Sequence, residues 1–87
     1  MARYRVRYVT YATEQLDQLP RSMRTAFDAR VGDLERDPYV VGKYDKRKDN
    51  YTTTFGGSGI ILYTFSDQYT FSDGKAMVTI LRVTWLD

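Results

Sequence analysis

Tyr4, Val6 and Tyr8 alternate with Arg3, Arg5 and Arg7 at the amino end of the chain. A period of two sends the aromatic and branched residues to one face and the guanidiniums to the other, which predicts a half-buried strand over residues 3–10. The period then lengthens. Ala12, Leu16 and Leu19 recur at spacings of four and three, the apolar stripe of a helix. Thr10 is expected as its N-cap, and Glu14 as an acid in its first turn, where the helix dipole favours negative charge. Pro20 cannot continue that helix but suits the first position of another. Met23, Phe27, Val31 and Leu34, with Ala26 beside them, form a second stripe that Gly32 weakens by about 1 kcal/mol relative to alanine. Pro38 restricts Asp37 to extended backbone and ends this second helix.

Residues 39–49 read as a connection, with Tyr39 and Val40 anchoring its start. Residues 51–55, rich in threonine and aromatics, are a predicted strand, Gly56-Gly57 a turn, and residues 60–65 the next strand. The last strand covers residues 76–85. Strict alternation would place Met77, Leu81, Val83 and Trp85 on one of its faces and Val78 and Ile80 on the other, so it is expected to be central and covered on both sides. Asp73-Gly74 is a hairpin turn signal, and residues 66–75 are either a two-stranded arm carrying Tyr69 and Phe71 or an irregular loop. These elements define an α+β fold. A single domain spans residues 1–87, with two N-terminal helices packed on a four-stranded, mainly antiparallel sheet.

Composition narrows the chemistry. Cysteine and histidine are both absent from the 87 residues, which removes disulfides, thiolate zinc sites and imidazole catalysis. Acid–base work would fall to Tyr, Lys, Arg, Asp or Glu. No apolar stretch is long enough to span a bilayer, and MARYRVRY lacks the apolar core of a signal peptide, so a cytoplasmic location is expected. The net charge of +2 is unevenly spread. Residues 1–11 hold three arginines and no acid, Lys43 to Lys48 form a second basic cluster, and residues 13–37 hold six acids against four arginines. A sheet more basic than its helices is expected where one face meets a polyanion.

The order of motifs resembles the RelE/ParE superfamily of small bacterial toxins from type II toxin-antitoxin systems. Tyr4 and Val6 match the first strand of that pattern, and Leu19-Pro20 matches the end of its first helix. Leu34-Glu35-Arg36-Asp37-Pro38 matches the end of the second helix. Residues 51–63 and 78–86 align with its later strands. Thr52, Thr54 and Gly59 stand where arginines are common in the family, and Trp85-Leu86 where His-Arg or a tyrosine is common. The resemblance implies a toxin that inhibits translation by ribosome-dependent cleavage of messenger RNA, with a cognate antitoxin as partner and no cofactor. The alternatives are a catalytically silent protein-binding module on the same scaffold, or a gyrase-directed toxin of the ParE type.

Ribonuclease chemistry of this kind needs a base for the attacking 2′-hydroxyl and positive charge on the developing phosphorane. Arg82 on the last strand and Tyr51 on the second predicted strand of the sheet are the catalytic candidates. Arg82 could instead reach solvent or pair with an acid such as Asp67. Lys46, Arg47 and Lys48, with Arg3, Arg5 and Arg7, are the nucleic-acid-binding candidates, although Asp45 and Asp49 flank the lysine-rich run. Tyr44, Tyr51 and Tyr69 are candidates for base stacking, whereas Tyr4, Tyr8 and Tyr63 are expected in the core or its rim. Gly56 to Gly59 is a hairpin rather than a phosphate cradle, because no helix follows it.

Overall fold

The computed structural model describes residues 4–66 and 76–86. Strand β1 (Arg5–Tyr8) leads into helices α1 (Thr10–Asp17) and α2 (Arg21–Arg36). A single helical turn, α3 (Pro38–Val41), then precedes strands β2 (Lys43–Asp45), β3 (Asn50–Phe55), β4 (Gly59–Ser66) and β5 (Met77–Trp85). The sheet order is β1-β5-β4-β3-β2, with β1 parallel to β5 and every other pairing antiparallel. The sheet thus has five strands where the sequence predicted four. The additional one, β2, lies in residues 39–49, whose lysine and aspartate content hides a short edge strand. Among the described residues no helix is long and apolar enough to cross a membrane.

The helices cover one face of the sheet. Phe27 and Leu34 of α2 and Ala12 of α1 are fully buried against Ile61, Tyr63, Val78, Ile80 and Val83. Phe27 meets Phe55 edge-on, with ring centroids 5.3 Å apart, and lies 6.5 Å from Tyr8. Complete burial of one such aromatic side chain stabilises the fold by roughly 1.5–3 kcal/mol. Val9, not Thr10, is the N-cap of α1, and Thr10 is its first helical residue. Glu14 consequently falls beyond the first turn, which holds no acid. Pro20 likewise caps α2 from just outside it. At the far end Asp37 is extended (φ −160°, ψ 86°), as Pro38 requires, and its carboxylate accepts from the Tyr39 amide at 3.1 Å to start α3.

One irregularity sets which β5 residues face out. Leu62 pairs with Arg82 but Tyr63 pairs with Ile80, so Leu81 is an extra residue, a β-bulge. The bulge resets the alternation. Val83 and Trp85 share the helix-covered face with Val78 and Ile80, contrary to the strict alternation expected from the sequence. Among the described residues no helix lies on the opposite face of the sheet. In β5, Thr79, Arg82 and Thr84 belong to that open face, with their partners Thr64, Leu62 and Ile60 on β4.

Candidate nucleic-acid interface

The register assembles the open face row by row. Arg7, Thr79 and Thr64 form one cross-strand row, and Arg82, Leu62, Thr52 and Lys43 form the next. Arg5 extends the first row's edge, and Thr84, Ile60 and Thr54 complete a third. Lys43 and Arg82 are three strand spacings apart, roughly 14 Å at the usual inter-strand distance. The face therefore has a basic rim at each side and a neutral floor of hydroxyl and apolar groups. Among the described residues its one carboxylate is that of Asp45, at the edge on β2.

Arg5, Arg7 and Arg82 are all exposed. Arg7 is oriented by donating from Nε to the Thr79 hydroxyl at 2.9 Å, which leaves its terminal nitrogens directed away from that contact. Arg82 makes no hydrogen bond or ion pair among the described residues. Its proposed partner Asp67, and Arg3, lie outside them, as do Tyr69, Phe71 and the Asp73-Gly74 turn. The strand segment carrying Arg82 is held from the helix layer. The Val83 amide has no β1 neighbour to pair with, because β1 ends at Tyr8, and it donates instead to Gln15 Oε1 of α1 at 2.7 Å. Sequence reasoning had no route to Gln15, since a polar, half-buried helical glutamine carries no periodic signal.

Lys46, Arg47 and Lys48 form the exposed tip of the β2–β3 turn. The acids beside them shape the turn. Asp45 Oδ1 accepts from the amides of Arg47 (2.9 Å) and Lys48 (3.4 Å), and its carbonyl accepts from the Asp49 amide at 2.9 Å. Asp49 adopts the left-handed backbone (φ 55°) and accepts from the Tyr44 hydroxyl at 2.6 Å. That hydrogen bond, ahead of burial, pushes the Tyr44 phenol above its ordinary pKa. Among the described residues no ion pair involves the three cations, so their charge is available at the sheet edge. Lys43, counted in the sequence only as part of a basic cluster, joins the open face because its segment is a strand and therefore has a face.

Tyr51 is elsewhere. It pairs with Tyr44 and Tyr63 on the helix-covered face, with its ring 5.5 Å from Tyr63, 4.8 Å from Phe65 and 4.9 Å from Tyr44. The sheet separates it from Arg82, so the two catalytic candidates are not brought together. Tyr63 is fully buried and donates to the Pro38 carbonyl at 2.8 Å. Burial, reinforced by the neighbouring Tyr51, pushes its phenol up to about 12.

No family model and no curated protein matches the sequence. Among solved structures, the chain superposes with a TM-score of 0.79 on a chain of the RelBE2 toxin-antitoxin complex from Mycobacterium tuberculosis. The two are 31% identical, and the match covers 98% of this chain and 100% of the other. This chain belongs to the RelE/ParE superfamily of toxin-antitoxin toxins. With that membership, the departures from the family pattern acquire places in space. Thr52 and Thr54, where the superfamily commonly has arginine, lie on the open face of the sheet. Gly59 lies on the packed face, and a Cβ added there would collide with the Phe55 ring. Leu86, also at a common arginine position, follows β5 and is 76% exposed, with its carbonyl accepting from the Ser58 hydroxyl at 3.2 Å. The neutral floor of this RelE/ParE sheet thus includes Thr52 and Thr54, whereas Gly59 lies on the other face, where the Phe55 ring leaves no space for a side chain.

Proposed function

We propose that this RelE/ParE chain is a toxin that inhibits translation by occupying RNA through the open face of its sheet, and that a cognate antitoxin neutralises it. The observation that carries this reading is the grouping of Arg5, Arg7, Arg82 and Lys43 on one face that, among the described residues, no helix covers and whose interior is uncharged. Guanidiniums spaced along strands suit successive phosphates, and each such contact weakens binding as salt rises. The antitoxin partner follows from the assembly in which the structural relative was crystallised. An acidic antitoxin segment would complement the same rim.

Occupancy is favoured over cleavage by what surrounds Arg82. Cleavage by 2′-hydroxyl attack needs a proton acceptor within about 2.6–3.2 Å of that hydroxyl. Among the described residues the open face supplies threonine hydroxyls, the cations Arg5, Arg7, Arg82 and Lys43, and Asp45, whose carboxylate is engaged by turn amides. Tyr51 is on the other face. The test is translation of a defined message in a cell-free extract, with total product measured and RNA ends mapped. Addition of the purified chain is expected to reduce product without new RNA ends. The double variant Arg7→Ala/Arg82→Ala is expected to lose most of that inhibition while keeping the wild-type unfolding curve. Mapped cuts would overturn occupancy in favour of cleavage, and full inhibition by the double variant would overturn the assignment of the open face.

A further inference from the structure

The second accessible surface feature lies on the other side of the sheet edge. Four rings run in sequence, each 4.6–4.9 Å from the next: Tyr39, Phe65, Tyr51 and Tyr44. All four rings line an open cleft of about 410 Å³, and the two outer ones are exposed, Tyr39 at 54% and Tyr44 at 46%. Asp49 lines the same cleft, and Lys46, Arg47 and Lys48 immediately precede it at the turn tip. Residues 43–49 carry four cations and two acids, a net +2, and both carboxylates are hydrogen-bonded within the turn.

We propose that this cleft is a second RNA site, in which an unpaired base carrying an exocyclic amine stacks against its exposed tyrosine rings while the Lys46–Lys48 turn holds the flanking phosphate. Flat, exposed rings accept a base on its π-face, and base–aromatic stacking is tolerant of sequence. Selectivity comes from Asp49. One of its oxygens accepts from Tyr44, and the carboxylate retains further acceptor capacity toward an amino group such as cytosine N4. The same carboxylate argues against an acidic peptide as the occupant, because it would meet like charge inside the cleft. The turn sits on β2, the edge strand, so one RNA strand can pass from the open face around the edge into the cleft. The inference shares the RNA ligand of the proposed function but rests on different residues.

The test is fluorescence anisotropy of the full chain with labelled single-stranded rC12 and rU12, two pyrimidine oligomers that differ at the 4-amino group. The expected result is tighter binding of rC12 than of rU12. Tyr39→Ala is expected to weaken rC12 binding by roughly five- to a hundred-fold with its salt dependence unchanged, and Tyr39→Phe to restore it. Lys46→Gln/Lys48→Gln is expected to reduce the slope of log affinity against log salt by about 1.4. Asp49→Gly, which keeps the left-handed backbone, is expected to equalise the two oligomers. Wild-type affinity in Tyr39→Ala would overturn the cleft site, and so would equal binding of the two oligomers by the unaltered chain. If Arg7→Ala/Arg82→Ala alone loses RNA, the cleft fails and the open face stands. If Tyr39→Ala alone loses it, the cleft stands and the open face fails. Tyr39→Ala that keeps RNA but loses an acidic antitoxin peptide would make the cleft a protein groove, and the proposal would be wrong.

Discussion

The two faces of this sheet are built from the same strands and governed by different physics. On β4, Ile61 and Tyr63 are fully buried, whereas Ile60, one residue away, is 45% exposed. On the packed face, side chains are fixed by volume: Phe27 locks Phe55, and Phe55 locks Gly59. On the open face no helix lies above the side chains among the described residues, most of them are partly or fully exposed (Thr79 is buried), and charge is the variable. The arginines divide the same way. Three of the four on α2 are paired locally, Arg24 with Asp28, and Arg30 and Arg36 with Asp33. Arg7 and Arg82 on the sheet have no carboxylate partner among the described residues. Surface pairs of the helical kind contribute little to stability, so they read as charge neutralisation of the helix layer, which leaves the positive potential to the sheet.

The largest test of that division sets Phe27→Ala against Arg82→Ala. Removing the Phe27 ring leaves a cavity between α2 and β3 and is expected to cost about 3–5 kcal/mol. A domain of this size has a total of roughly 4–13 kcal/mol to lose, so the variant should be largely unfolded or show a much lower urea midpoint. Arg82→Ala should stay within about 0.5 kcal/mol of the parent. Urea denaturation followed by Trp85 fluorescence reads both. Comparable destabilisation in the two variants would mean that the open face is not open.

The next effect separates buried polarity from surface polarity. Tyr63→Phe leaves the Pro38 carbonyl without its donor in the core, at an expected cost of about 1–3 kcal/mol. It also carries a pH signature. The Tyr63 phenol is pushed up to about 12 in the fold, against an ordinary value near 10 in the unfolded chain. Below pH 10 both states are protonated and the shift has no effect. Between about pH 10 and 12 the unfolded chain releases this proton first, so parental stability should fall by an amount on the order of 2–3 kcal/mol. Tyr63→Phe should be less stable at neutral pH and lose less across that window. Parallel stability–pH curves for the two proteins would remove the buried phenol from the account.

Much of this arrangement was legible before the coordinates. The strand–helix–helix order came from a switch of hydrophobic period and from Pro20 and Pro38, because both periodicity and proline act locally. The partition of β1 into Val6 and Tyr8 on one face and Arg5 and Arg7 on the other came from alternation alone. What was hidden depends on pairing. The bulge at Leu81 is a register shift against β4, so the outward direction of Arg82 relative to Trp85 could not be read from β5 by itself. Strand β2 is three residues long and polar, too short to show a period. Tyr51 and Arg82 were both expected on strands of the sheet, which does not say which face each takes; the pairing of Tyr51 with Tyr63 puts it on the helix-covered face.

The smallest effect on stability is also the sharpest on function, and it uses the positions where the family commonly carries arginine. Thr54→Arg and Gly59→Arg introduce the same cation, one on each face of the same hairpin. Thr54 is exposed, and the contact it makes to α2, its carbonyl accepting from Arg30 Nε at 2.8 Å, is through the backbone and survives the change. Its new guanidinium would stand over the neutral floor, one row from Lys43 and Arg82. Stability should therefore shift by less than about 0.5 kcal/mol. RNA affinity at low salt should rise, with the slope of log affinity against log salt steepened by about 0.7 for one added phosphate contact on a single strand. Gly59→Arg should instead displace the Phe55 ring and destabilise the fold with no gain in affinity, because its side chain is directed into packed aromatics. Measuring both variants by urea denaturation and by salt-dependent anisotropy distinguishes an electrostatic surface from a geometric one. If the two arginines act alike, in either assay, then strand alternation does not decide which side of this sheet meets RNA.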